Sequence, residues 1–349
     1  MSKQSTRETG ETHASREAAT DFRIDLTPGE RDFLDAECER SGFSVRSGPL
    51  DDEDLLTTAE LMGCRLPKRV IRVLRRFRRQ GGELGGLVIG NVPLDRVVPP
   101  TPGPAYWPDW TEIPVATFTQ LAITSVLGDI ISYADEKDGR LVQDIVPVKG
   151  AEHRQENTGT VPLELHTEDG FHPYKPDFIT LLCLRPDHEK AARTLLGAAV
   201  QVVPLLSAEC IRTLRQPLFR LRASSSFGDR NASVRTPPLP VLSGPADGPE
   251  IVADFHAMEP VDSRAQQAFD QLHSALLPLL TGLVLDRGDL LVIDNRAAVH
   301  GRTGFDARMD GTDRWLRRCF AVADLRLSRS ARAKDSRVCA PLTTIGFPN

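Results

Sequence analysis

The chain has 349 residues, of which 40% are hydrophobic and 26% charged, and its formal net charge is −5 at pH 7. This acidic balance argues against a general nucleic-acid-binding protein, which would be basic, and no apolar run approaches the length of a membrane span. The first residues lack the hydrophobic stretch of a secretion signal, and the six cysteines are scattered without a C-x-x-C pair. We therefore expect a cytoplasmic protein with reduced thiols that binds neither nucleic acid nor membrane. The sequence leaves the oligomeric state open.

The N-terminal part is predicted to be a polar tail followed by helices. Residues 1–22 are charged and poor in apolar residues, which predicts disorder. Thr27 and Glu30 have the spacing of a helix-capping pair. The arginines of VIRVLRRFRR in the third helix are interpreted as a solvated face rather than an anion-binding surface, because the whole chain is acidic. The three helices are expected over 28–40, 51–62 and 67–80.

A buried strand and a long loop are predicted next. GGLVIG over 85–90 is typical of a strand between glycine turns. No G-x-G-x-x-G motif opening a helix follows it, so a dinucleotide site is unsupported. Residues 93–114 are rich in proline and predict a loop, and a helix is expected over 116–133.

From about residue 141 the sequence is rich in strand patterns that are separated by Gly, Pro and Asp turns. The lack of regular helical crossovers predicts an antiparallel sandwich or jelly roll. Helices interrupt it at 204–215, with Ser207 as N-cap, and at 260–281. The polar segment 222–250 is either a mobile lid or an ordinary surface excursion. A single domain over 23–349 is expected, with a helical part at about 26–135 and a β core at about 140–325.

His166, Glu168 and His300 are the most informative residues of the sequence. Side chains two residues apart on a strand point to the same side, so His166 and Glu168 can face one site. His300 would join them from a distant strand. Two imidazoles and one carboxylate form the facial triad typical of non-haem Fe(II), which leaves three octahedral positions open. A lone His-x-Glu is a weak signal, and the alternative is that both histidines are satisfied core or surface groups.

The sequence around these residues carries a family resemblance. LELHTEDGFHPYKPDFITLLCLRPD over 163–187 and GDLLVIDNRAAVHGR over 288–302 resemble the clavaminate synthase-like branch of the Fe(II)/2-oxoglutarate oxygenases. The resemblance covers most of the chain from about residue 80. It implies a mixed α+β fold that is mainly β, with a double-stranded β-helix (jelly-roll) core and flanking helices. It also implies Fe(II) as cofactor, and O₂ with 2-oxoglutarate as co-substrates, the latter being converted to succinate and CO₂.

Thr194 and Arg314 match the positions at which the family holds the tail of 2-oxoglutarate. A guanidinium can bind the distal carboxylate through two hydrogen bonds, and a hydroxyl adds another. Glu168 favours hydroxylation over halogenation, because halogenating relatives lack this carboxylate. Desaturation and cyclisation remain open with the same ligands.

Members of this branch hydroxylate free amino acids such as arginine, asparagine or lysine, usually at a β or γ carbon. Arg318 matches a position that pairs with the substrate α-carboxylate. Because alternate strand residues share a face, residues 314, 316 and 318 are expected to point inward, and Arg317 toward solvent.

Two acidic residues bear on the choice of substrate. Asp254 lies where arginine hydroxylases carry a paired Asp-x-Asp, but Val252 replaces the first acid here. Glu136 falls near a residue that binds the substrate amine. Two acids near one pocket favour a cationic substrate. The expected substrate is a free, basic or amide-bearing L-amino acid, and lysine, citrulline, ornithine and asparagine stay open. The resemblance thus implies an amino acid hydroxylase, of the kind that supplies modified amino acids for secondary metabolite biosynthesis.

Two further histidines and several alternatives complete the interpretation. His172 is expected to be a loop residue near the site rather than a ligand, and His256 a candidate wall of the substrate pocket. The same chemistry on a carrier-bound aminoacyl group or another small molecule stays open. A non-catalytic β-helix that binds a small molecule is disfavoured because every expected residue is present. A hydrolytic zinc enzyme would leave Thr194 and Arg314 without a purpose.

Overall fold

The structure is a computed structural model that describes residues 22–103, 106–231 and 233–347. The predicted disorder of residues 1–22 lies outside the described residues, apart from Phe22. Among the described helices none is long and apolar enough to cross a membrane. The helices are Pro28–Arg40 (α1), Glu53–Gly63 (α2), Lys68–Gln80 (α3), Pro114–Leu127 (α4), Ala199–Val202 (α5), Ala208–Leu214 (α6), Ser263–Leu276 (α7) and Leu342–Ile345 (α8).

The strands of the N-terminal half and of the first part of the core are Arg23–Asp25 (β1), Gly86–Gly90 (β2), Asp129–Tyr133 (β3), Val142–Ile145 (β4), Leu163–His166 (β5), Phe178–Arg185 (β6), Arg193–Ala198 (β7) and Phe219–Leu221 (β8). Those that follow are Leu242–Ser243 (β9), Glu250–Ile251 (β10), Met258–Pro260 (β11), Thr281–Val284 (β12), Leu290–Asp294 (β13), Ala298–Arg302 (β14), Trp315–Val322 (β15) and Val338–Cys339 (β16).

The predicted helix starts are confirmed by their caps. The Thr27 hydroxyl accepts a hydrogen bond from the Glu30 amide, and the Glu30 carboxylate accepts one from the Thr27 amide. Ser207 likewise caps α6 by accepting from the Cys210 amide. These bonds satisfy amide groups that a helix start leaves unpaired, so local sequence sets where α1 and α6 begin.

The predicted helix over 116–133 is wrong from residue 128 onward, because the helix ends at Leu127 and β3 follows. A side chain at Gly128 would collide with the Val322 carbonyl, so the chain passes β15 at close range there. Ile130 and Ile131 then pair with Ala321 and Phe320. Isoleucines pack well on a sheet surface, and this pairing outweighs the helical pattern.

Two sheets form the sheet-rich core of a mixed α and β structure. In the described residues, one sheet has eight strands in the order β1-β2-β13-β6-β15-β3-β16, with β4 also paired to β15. The other has four strands in the order β12-β7-β14-β5. All pairs are antiparallel except β1 with β2 and β16 with β3. Strands β1 and β2 come from the predicted helical part, so that part and the β core share one sheet.

Strand β13 shows how the large sheet is buried on both faces. Leu291 and Ile293 belong to the apolar cluster shared with the small sheet. Leu290 and Val292 belong to a second cluster that includes residues of α1 to α4. The helices therefore cover one face of the large sheet, and the small sheet lies against the other.

The expectation that Arg317 points to solvent is wrong, because α4 covers the outer face of β15. Arg317 is 3% exposed. Its Nη1 donates to Thr117 Oγ1 at 2.5 Å, and its Nε lies 3.4 Å from Asp144 Oδ1. The alternation along β15 was predicted correctly, but the far side of the sheet is a helix interface rather than water.

Two helix glycines provide a matched test of the helix layer. A Cβ at Gly63 would lie 2.7 Å from the Ala122 carbonyl of α4 and against the Ser125 hydroxyl, whereas a Cβ at Gly29 would meet nothing within 4 Å. We expect Gly63→Ala to destabilise the fold by about 1–3 kcal/mol through overpacking. Gly29→Ala should stabilise it by about 0.5–1 kcal/mol. Thermal unfolding measures both changes, and equal melting temperatures would contradict the close approach of α2 and α4.

Candidate active site

The strand register brings two distant histidines together. His300 on β14 pairs directly with His166 on β5, and their ring centroids are 4.4 Å apart. On its other side β14 pairs with β7, where Arg302 lies opposite Thr194. Directly opposed residues of antiparallel strands project to the same face. The side chains of His166, His300, Thr194 and Arg302 therefore share one face of the small sheet.

Glu168 is fixed by its backbone rather than by a strand. Its amide donates to Asn295 Oδ1 at 2.8 Å, and Asn295 Nδ2 donates to the Glu168 carbonyl at 2.9 Å. Asn295 is fully buried and also donates to the Pro176 carbonyl. The turn before β14 thus fixes the backbone of Glu168 beside the strand that carries His300. The sequence predicted side-chain bonds to the backbone at Asp294-Asn295, but gave no signal for this partner.

One donor atom from each of His166, Glu168 and His300 lies within 4.8 Å of the others, a spacing that can hold a metal ion. His166 Nδ1 donates to the Glu164 carbonyl at 2.8 Å, which leaves Nε2 for a ligand. His300 Nε2 lies 3.4 Å from Glu168 Oε2. The structure therefore brings the predicted triad together.

The protonation states suit metal binding, which needs neutral imidazole and ionised carboxylate. Burial lowers the pKa of His300. Burial alone would raise the pKa of Glu168, but the Arg318 guanidinium and the hydrogen bond with His300 hold that pKa below its ordinary value.

A cavity of about 590 Å³ opens at this site. Leu316 lies on its wall between Arg314 and Arg318, so the predicted inward direction of 314, 316 and 318 is confirmed. All predicted site residues line the cavity, namely His166, Glu168, His300, Thr194, Arg314, Arg318, Asp254 and Glu136.

Arg314 is a buried cation whose guanidinium N–H groups are available to a ligand. It is 7% exposed, and among the described residues its guanidinium has no hydrogen-bond acceptor or ion-pair partner. Its Cζ lies 5.7 Å from the centre of the Phe305 ring. Burial lowers its pKa. Since a buried charge is costly without a partner, this corner of the cavity is suited to an anion.

Arg318 has the opposite environment. Its Nη1 donates to Glu168 Oε1 at 2.7 Å, its Nε donates to Gln143 Oε1 at 3.0 Å, and its Nη2 contacts Glu136. Glu136 is 1% exposed, and its Oε2 has no hydrogen-bond partner among the described residues. Arg318 and Glu136 thus present one cation and one spare carboxylate oxygen at the same wall.

Asp169 is a buried acid that the sequence interpretation missed. It lies beside Glu136 and Glu168, has a φ of 48°, and its Oδ2 lacks a partner in the described part of the chain. Burial, followed by the charges of Glu136 and Glu168, raises its pKa well above the ordinary value. The only sequence signal was its position next to the His-x-Glu motif.

Asp254 is half-buried and lies across the backbone from His166. Its Oδ1 accepts hydrogen bonds from the amides of His256 and Ala257, both at 2.8 Å. These two donors fix the carboxylate, and within the described ranges no hydrogen-bond donor contacts Oδ2, which can therefore accept from a ligand. His256 also lines the cavity, with its side chain exposed.

His172 lies apart from the triad. It is buried against Tyr133, with ring centroids 4.3 Å apart, and its Nδ1 accepts from the Tyr174 amide at 3.1 Å. Burial lowers its pKa to about 3. Its position agrees with the expectation of a neighbouring loop residue.

Comparison with known proteins identifies the family. A profile described as taurine catabolism dioxygenase TauD, TfdA family matches residues 112–320. The chain is 38% identical to an L-asparagine oxygenase of Streptomyces coelicolor over 327 residues, covering 93% of this chain and 97% of that protein. It is 37% identical to an L-lysine 3-hydroxylase of Catenulispora acidiphila, covering 82% and 80%.

A solved structure agrees with these relatives. Asparagine oxygenase in complex with Fe(II), 2S,3S-3-hydroxyasparagine and succinate matches with a TM-score of 0.86 and 34% identity, covering 91% of this chain and 99% of that one. The oxygenase resemblance seen in the motifs is thereby confirmed. The chain belongs to the taurine catabolism dioxygenase TauD, TfdA family.

Proposed function

We propose that this protein is an Fe(II)/2-oxoglutarate-dependent dioxygenase that hydroxylates a β or γ side-chain carbon of a free L-amino acid. The observation that carries the proposal is the meeting of the His166, Glu168 and His300 donors with the unpaired Arg314 guanidinium in one cavity. A metal and a carboxylate-bearing co-substrate would satisfy both features at once. Two relatives support the amino acid class. One is an L-lysine 3-hydroxylase, and the other is an asparagine oxygenase whose structure contains 2S,3S-3-hydroxyasparagine.

The donor set fits Fe(II). Two neutral imidazoles and one carboxylate leave open positions on an octahedral ion, and the Glu164 carbonyl sets the ring orientation of His166 as metal sites commonly require. Bound there, Fe(II) would supply the activation of O₂ that couples conversion of 2-oxoglutarate to succinate with oxidation of a C–H bond. The residues themselves position the reactants and exclude water.

We infer that the two sheets are the halves of a double-stranded β-helix. The antiparallel pairing and the cluster of apolar residues between the sheets support this. The triad then lies at one mouth of the barrel, where β5 and β14 run side by side.

Arg314 and Thr194 would hold the distal carboxylate of 2-oxoglutarate. The guanidinium provides two parallel donors for a carboxylate, and Thr194, 4% exposed, adds a hydroxyl in the same cavity. The keto-acid end would then point back toward His300. An anion here would remove the cost of burying Arg314 without a partner.

Arg318 and Glu136 would bind the amino acid backbone. Arg318 would donate to the α-carboxylate, and the spare Oε2 of Glu136 would accept from the α-ammonium. A carrier-bound aminoacyl group has no free α-carboxylate for Arg318. The buried pair therefore favours a free amino acid over the carrier-bound alternative.

Asp254 would select the side chain. Its free Oδ2 accepts hydrogen bonds, so it suits a side chain that ends in N–H donors, either an amide or a cation. The first acid of the Asp-x-Asp pair is Val252 here, which supports a side chain needing one carboxylate rather than two. Lysine, ornithine, citrulline and asparagine meet this requirement.

The experiment that tests the function is a substrate panel. The full-length protein is incubated with Fe(II), 2-oxoglutarate, ascorbate and single free amino acids, and succinate and product mass are measured together. We expect a mass gain of one oxygen with one basic or amide-bearing amino acid, matched mole for mole by succinate. Succinate without any hydroxylated amino acid would overturn the substrate class, and no succinate under any condition would overturn the oxygenase function.

Removal of one triad residue tests the metal site. His166→Ala deletes one of three ligands, so we expect loss of stoichiometric Fe(II) binding and succinate formation at the background rate. His153→Ala is the matched control because His153 is exposed and outside the cavity. Metal titration monitored by calorimetry measures binding, and unchanged affinity in His166→Ala would contradict the assigned triad.

Two arginines on one strand allow a crossed test of the binding roles. Lysine keeps the charge but loses the fork, so Arg314→Lys should raise the KM for 2-oxoglutarate by about 10-fold or more. Arg318→Lys should instead raise the KM for the amino acid. Steady-state kinetics with each reactant varied in turn measures both, and the same pattern in the two variants would contradict the assignment.

A further inference from the structure

Arg302 is a further buried arginine of the cavity, and the proposed function assigns it no ligand. It is 5% exposed and lies on the wall of the same cavity. On β14 it follows His300 by two residues, so the two side chains share a face. Its partner across the ladder is Thr194 on β7. Strand geometry thus directs Arg302 toward the residues proposed to bind the co-substrate.

Only one of the three guanidinium nitrogens of Arg302 donates hydrogen bonds to the described part of the protein. Nη2 donates to the carbonyls of Gly159 and Val161, each at 2.8 Å. Nε is buried without a hydrogen-bond partner, and no acceptor for Nη1 occurs among the described residues. Nε and Nη1 can therefore donate hydrogen bonds to a ligand.

Arg302 and Arg314 form an uncompensated pair of cations. Both lie against the Phe305 ring, with Cζ atoms 4.9 and 5.7 Å from its centre. In the part of the chain that the structure describes, neither forms an ion pair with an acidic side chain. Two buried like charges near one another are unfavourable unless an anion joins them. Since both guanidinium groups contact the same ring and line the same cavity, one anion could contact both.

We propose that Arg302 is a second cationic residue of the co-substrate site and, together with Arg314, binds the distal carboxylate of 2-oxoglutarate. The inference rests on the proposed function. It assigns to Arg302 a role in selecting a dicarboxylate, because a keto acid without the distal carboxylate leaves both cations unpaired. Arg302 is a binding residue here and takes no part in the chemical step.

The test separates binding of the carboxylate from support of the 159–161 segment. Calorimetry measures binding of 2-oxoglutarate and of 2-oxopentanoate, which has the same keto-acid end but no distal carboxylate, to the full-length protein loaded with Mn(II). We expect Arg302→Met to weaken 2-oxoglutarate binding by about 10- to 100-fold and to leave 2-oxopentanoate binding almost unchanged. Arg193→Met is the control, since Arg193 is exposed on the neighbouring strand.

Two results with Arg302→Met would overturn the inference. Unchanged 2-oxoglutarate affinity in Arg302→Met would exclude a contact with the carboxylate. Equal weakening of both keto acids would assign Arg302 to holding Gly159 and Val161 instead. If Arg302→Met does not fold, Arg302→Lys replaces it, with a selective loss of 2-oxoglutarate affinity expected and an equal loss contradicting the proposal. Absence of 2-oxoglutarate binding by the unmodified protein would instead overturn the proposed function itself.

Discussion

The register of β14 between β5 and β7 is the constraint on which the site depends. It sets His300 opposite His166 and Arg302 opposite Thr194. A slip of one residue would turn all of these side chains to the other face of the sheet. Gly301 permits this register, because a Cβ there would lie 2.6 Å from the Leu163 carbonyl on β5. The positions of His166, His300, Thr194 and Arg302 are therefore consequences of the pairing of β14 with its two neighbours.

The distribution of buried charge divides the cavity into two regions. Arg318 already forms ion pairs with Glu136 and Glu168. A zwitterion has no net charge, so its carboxylate can pair with Arg318 and its ammonium with Glu136 without a change in the net charge of the cavity. Arg302 and Arg314 have no acidic partner among the described residues, so this region is suited to an anion. Under the proposed roles, this asymmetry would give the amino acid and the co-substrate different binding regions of the cavity. A ligand without the matching charged groups would leave buried charges of the protein unpaired. That cost exceeds the net gain from a typical hydrogen bond, so it contributes more to selectivity.

The sequence predicted the parts of the site that depend on short spacing. His166 and Glu168 were predicted from their two-residue spacing, and the inward direction of Arg314 and Arg318 from strand alternation. The distant residues His300 and Thr194 were predicted through the family resemblance. Features that depend on what packs behind a strand were not predictable. Arg317 alternates as expected, yet it contacts a helix rather than water. The link from Asn295 to Glu168 and the fit of β3 against β15 join segments far apart in sequence, and no local pattern reports such a contact.

The most direct test of the account is an anaerobic crystal structure with Fe(II) and 2-oxoglutarate, with anomalous diffraction recorded at the iron edge. The account predicts a single anomalous peak between His166 Nε2, His300 and Glu168. It also predicts a co-substrate that extends from this peak to the Arg314 guanidinium. A peak at the neighbouring acids Glu136 and Asp169, or a co-substrate whose distal carboxylate turns toward Arg318, would contradict it.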